Sequence, residues 1–164
     1  MSVCKTRGFL LQVACMPNLN KLIFLIAFSA ISSGAFIYLL WRQDYIRVFT
    51  WLDLFGFNIP VELIRSYSYR FLPLIPEWVV FSLPNGLWAF SYALIISHIW
   101  WGQNNSVSKY FWLISIFIVG LGYEALQYLG VIPGTFCYQD LLLCVIGVFG
   151  GTATAILITR RRGK

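Results

Sequence analysis

The chain has 164 residues, of which 59% are hydrophobic and only 11% charged, and its mean hydropathy is +0.75. A soluble domain carries about 25% charged residues, so this composition excludes an ordinary water-soluble domain and predicts an integral membrane protein. The net charge of +6 does not point to nucleic acid, because the bases gather beside apolar segments, at Lys5, Arg7 and Lys21 and at Arg160, Arg161, Arg162 and Lys164, where membrane orientation and lipid headgroups account for them.

No Gly/Ser-rich or Pro-rich linker and no internal repeat divides the chain, so a single membrane domain over residues 1–164 is expected. Cys4, Cys15, Cys137 and Cys144 are spread over two flanks, a loop and an apolar helix rather than a disulfide framework. They read as small apolar side chains.

The first predicted span covers residues 22–41, "LIFLIAFSAISSGAFIYLLW". Its 20 residues make a helix of about 30 Å, the thickness of a bilayer core. The run continues past Ala35 to Trp41, longer than the apolar region of a cleaved signal peptide, and a retained helix is expected. Met16 is an alternative start to Met1.

Charges return over 42–77. Within this connection Asp44, Arg47, Thr50 and Asp53 recur every three residues among apolar neighbours, which predicts a short amphipathic helix at the interface. Pro60, Pro73 and Pro76 rule out one long helix, and "WVVFSL" before the second span reads as a re-entrant stretch.

That second span is predicted over about 84–101, capped by Ser82, with Pro84 in its first turn and Trp100 and Trp101 at the far interface. His98 falls near that far end. The third span follows over about 110–130 and the fourth over about 141–159, with the turn "VIPGTFCYQ" between them. The fold class is therefore all-α, a four-transmembrane-helix bundle with an amphipathic or re-entrant external segment between its first two helices.

Orientation follows the Lys/Arg asymmetry. With both termini cytoplasmic the inner side carries eight bases, Lys109 among them, against Arg42, Arg47, Arg65 and Arg70 outside.

Two polar groups break the apolar pattern. Glu124 and Gln127 are spaced i, i+3 on one face of the third helix, a face Gly120 joins. A carboxylate at the centre of a membrane helix costs about 2.5–3.5 kcal/mol on insertion scales, so Glu124 is expected to face the bundle interior. In the fourth helix Asp140, Cys144, Gly147 and Gly151 form one stripe. Gly147 and Gly151 are a GxxxG pair that admits close helix packing, with the third helix as the expected neighbour. The two acids would then share an outward crevice between the last two helices.

At these residues the sequence resembles the VanZ-like family, small bacterial membrane proteins named for a teicoplanin-resistance component. The resemblance covers roughly 84–155 and rests on Glu124, Gln127, Pro133, Gly134, Asp140, Gly147 and Gly151, in order and in spacing from the Asp. The chain departs from the family pattern at Thr135 and Cys137, where an Arg or a second Asp is common. Cys144 stands in place of an Asn, and residues 85–90, "NGLWAF", in place of an Asp-Lys and His pattern. The fold is implied more firmly than the activity.

The resemblance implies a non-enzymatic protein of the bacterial inner membrane with a role like glycopeptide resistance. Its partners would be membrane lipids, a lipid-linked cell-wall intermediate or a membrane protein. Glu124, Gln127 and Asp140 are the candidate ligand-binding residues, joined by Arg65 and Arg70 from the external connection, which suit anionic headgroups. The alternatives are an accessory subunit of a larger membrane complex and, less favoured, a membrane-embedded hydrolase or transferase using Glu124 and Asp140 as paired carboxylates. No HExxH, nucleophile elbow or metal-ligand cluster stands in the sequence, and neither cofactor nor metal is expected.

Overall fold

The structure is a computed structural model that describes residues 19–42, 54, 58–101, 107–131 and 136–160. Its regular elements are all helical: α1 (Leu19–Trp41), α2 (Asn58–Ser68), a 3-10 turn (Tyr69–Leu74), α3 (Glu77–Phe81), α4 (Leu83–Trp100), α5 (Val107–Tyr128) and α6 (Tyr138–Arg160). The amphipathic helix expected around Asp44, Arg47, Thr50 and Asp53 lies outside the described residues, as do the chain ends and Pro133, Gly134 and Thr135.

Three helices, over Lys21–Trp41, Val107–Tyr128 and Tyr138–Thr159, are long and apolar enough to cross a membrane. Their outward faces carry exposed Phe28, Phe36, Phe117, Ile118, Phe149 and Leu157, an apolar belt that a water-soluble monomer does not present. The second predicted span, α4, is not among them. Its position explains its composition: α4 packs against α6, α1 and α5, so protein rather than lipid covers most of its surface. Polar side chains are tolerated there because they find partners. Ser91 Oγ lies 3.0 Å from the Ala27 carbonyl of α1 and 2.8 Å from that of Leu87, Ser97 donates to Thr152 of α6, and Tyr92 meets Ser115 of α5 at 2.8 Å.

The core sets small residues, which let helices approach closely where apolar burial drives little association, beside a few large aliphatic ones. Ala89, Ala93, Cys144, Val148 and Ile116 knit α4, α5 and α6, and Ile23, Ala27, Leu94 and Ala155 knit α1, α4 and α6. Gly147 and Gly151 do not face the third span. A Cβ on Gly147 would run into the Gly86 carbonyl oxygen, and one on Gly151 into that of Phe90, both on α4. Gly86 in turn would meet the Leu143 carbonyl at 2.9 Å, so the glycines make α4 and α6 the closest pair. The approach of α5 to α6 depends instead on Gly120, opposite Val148.

The helix ends are set locally. At the start of α4, Ser82 makes no side-chain capping bond and is buried in helical backbone, because α3 runs almost directly into α4 through the Ser82 N–H to Trp78 O bond. Pro84 occupies the first turn of α4, where its missing N–H costs nothing. α5 closes with a Schellman motif: Gly130 at φ +68° supplies the left-handed residue. Its N–H reaches Gln127 O while the Val131 N–H reaches Leu126 O.

Candidate functional site

α1 and α5 end where α4 and α6 begin, and a crevice of about 980 Å³ opens among those four ends. Glu124 and Gln127 reach it from the last turns of α5, Asp140 from the first turn of α6, and Arg42 from the end of α1. Tyr38, Trp88, Tyr92 and Tyr123 supply aromatic wall, and Glu77, Ser82, Asn85, Gln139, Cys137 and Cys144 complete most of the remainder.

Glu124 is buried, at 3% exposure. Its carboxyl meets the Cys137 backbone N–H and lies close enough to Asp140 for the two to repel, yet Oε2 has no hydrogen-bond partner. Asp140 Oδ1 is likewise buried and unpartnered. Asp140 stands at the third residue of α6, in its first turn. Buried polar atoms are normally satisfied; these two bare carboxyl oxygens, from different helices, belong to residues that line one crevice.

Arg42 is the base in this wall; in the sequence alone it reads only as a flanking charge. Its guanidinium carbon lies 5.5 Å from the Tyr38 ring centroid and 5.0 Å from that of Phe81. Stacking occupies the faces of the guanidinium and leaves its N–H edge for hydrogen bonding. A helix-terminal base next to aromatic residues was the available signal, but nothing in the local spacing places Arg42 opposite residues some 80 positions away.

Arg65 and Arg70 do not line the crevice. Arg65, only 4% exposed, donates to Leu39 O at 2.5 Å, to Arg42 O at 2.7 Å and to Tyr69 Oη at 2.7 Å, and so caps α1. Arg70 is exposed and stands 5.6 Å from the Tyr67 ring centroid. His98 sits at the opposite end of α4, 3.5 Å from Thr159 Oγ1. Among the described residues no three His, Cys, Asp or Glu side chains converge as metal ligands. The site can thus accept hydrogen bonds at its carboxylates and donate them from Arg42, with aromatic surface between. Comparison with known proteins finds no matching family model, no matching curated protein and no matching solved structure.

Proposed function

We propose that this chain is a VanZ-like integral membrane protein of the bacterial cell envelope, one that binds the polar part of a lipid-linked or other envelope amphiphile without transforming it. In this reading α4 crosses as well, making four spans in all, and both termini lie in the cytoplasm of a cell whose inner membrane the bundle crosses. Its 18 residues reach about 27 Å, enough to follow its three neighbours across. The crevice then opens at the external face, where the headgroups are.

The observation that carries the reading is the pair of buried, unpartnered carboxyl oxygens of Glu124 and Asp140 in a crevice of about 980 Å³. A site for binding needs unsatisfied groups in a preformed cavity. A purely structural polar cluster would have satisfied them within the protein. Binding is favoured over catalysis because, among the described residues, the crevice lining holds no histidine to serve as a base and no three side chains that converge as metal ligands.

The test is a paired assay on Glu124→Gln and Asp140→Asn, which keep size and hydrogen-bonding capacity but remove charge. Losing a hydrogen bond to a charged group costs about 1.5–3 kcal/mol, so retention of co-purified amphiphile is expected to fall by roughly tenfold or more, together with glycopeptide tolerance of the host. Detergent stability should be kept. Wild-type retention and phenotype in both variants would reduce the crevice to a structural feature.

A further inference from the structure

Resting on the reading of the crevice as an amphiphile site, its charges narrow the class of headgroup. The lining carries three acids, Glu77, Glu124 and Asp140, against one base, Arg42, so a purely anionic headgroup meets net repulsion. The bare Oε2 of Glu124 and Oδ1 of Asp140 can each accept a hydrogen bond from a donor. Glu124 is 97% buried by its 3% exposure, which makes an unmatched negative charge there costly.

A primary ammonium answers both needs, since it brings one positive charge and three N–H donors, enough to bridge two carboxylates that lie close enough to repel. A quaternary ammonium brings the charge without donors and leaves both oxygens bare. A metal ion suits the place less well, because no third His, Cys, Asp or Glu converges there among the described residues. Arg42, steadied against Tyr38 and Phe81, offers its N–H edge to an oxyanion on the same ligand.

We propose that the crevice binds a zwitterionic headgroup of the phosphoethanolamine class, its primary ammonium between Glu124 and Asp140 and its phosphate on Arg42. The bilayer supplies this chemistry as phosphatidylethanolamine, and the same group also exists free in solution.

The full-length protein, purified in detergent, is titrated by native mass spectrometry with short-chain phosphatidylethanolamine, phosphatidylcholine and phosphatidylglycerol, and with free phosphoethanolamine. Phosphatidylethanolamine is expected to bind about tenfold more tightly than the other two lipids. E124Q should erase that preference by weakening phosphatidylethanolamine far more than phosphatidylcholine, and Arg42→Gln should weaken both. D140N, on a different helix, must repeat the E124Q result, which guards against a misfolded variant. Free phosphoethanolamine binding as tightly as the lipid supports the chemistry and assigns the ligand to solution; much weaker binding supports the chemistry and assigns it to the bilayer. Equal affinity for ethanolamine and choline lipids, or a preference that survives E124Q and D140N, overturns the proposal. Tight phosphatidylglycerol binding lost in Arg42→Gln overturns it while leaving the amphiphile-site reading standing, and no binding of any probe overturns both.

Discussion

A single methyl group separates a tolerated from a forbidden side chain along α6. At Gly147 and Gly151 an added Cβ would strike the backbone carbonyl oxygens of Gly86 and Phe90, and backbone inside a packed helix pair cannot step aside as a side chain does. Gly147→Ala and Gly151→Ala are each expected to destabilise the bundle by about 1–3 kcal/mol through overpacking. Gly150 is the internal control. Its added Cβ would find only the Phe90 ring at 3.5 and 3.7 Å, ordinary contact, so Gly150→Ala should be neutral or gain up to about 1 kcal/mol in helix propensity. Unfolding in mixed micelles ranks the three, and equal stabilities would place the Gly147 and Gly151 stripe away from α4. The sequence marked this stripe as a packing face but named the wrong neighbour. Small-residue spacing says how closely a helix can be approached, and it carries no information on which helix does so.

At the scale of elements, Arg65 of α2 ties the connection between α1 and α4 to the end of α1. Its guanidinium answers the Leu39 and Arg42 carbonyls, two of the groups a helix C-terminus leaves without partners, and its charge suits that end of the dipole. Trp41 Nε1 adds a second tie to Ser68 O at 3.1 Å. Arg65→Ala should cost about 1.5–3 kcal/mol, and Arg65→Lys should recover only part of it, since an ammonium lacks the fork that spans two carbonyls. Because Arg42 is held through its own carbonyl, both variants should also weaken any ligand that uses Arg42. Thermal unfolding in detergent alongside lipid titration reads both effects; a destabilised Arg65→Ala protein with unchanged binding would uncouple the cap from the crevice. Arg65 was legible as a charge and not as a cap, because its partners lie 26 and 23 residues away and such contacts leave no periodic trace. Glu124 and Gln127, by contrast, were legible as neighbours because their pairing is local to one helix.

For the whole molecule the decisive element is α4, the least lipid-like of the long helices and the one at the centre. Hydropathy finds the three outer helices because lipid demands apolar side chains of them, and it undervalues a helix whose polar groups are answered by protein, as Ser91, Ser97 and Tyr92 are. The crevice gathers the ends of α1 and α5 with the starts of α4 and α6, so the four helices run alternately up and down. If only the outer three crossed, the two chain termini would fall on opposite sides of the membrane. If α4 crosses with them, the termini share a side, and the excess of Lys and Arg, eight against four, makes that side the cytoplasm. A green fluorescent protein fused after Lys164 should therefore fluoresce in cells, an alkaline phosphatase fused there should be inactive, and the same phosphatase placed in the 42–57 connection should be active. An active phosphatase after Lys164 would reverse the orientation or remove α4 from the membrane. A cysteine introduced before Lys21, in a background with Cys4, Cys15, Cys137 and Cys144 replaced, separates the two: labelling of intact cells by an impermeant maleimide at that position means reversal, and protection there means that α4 does not cross.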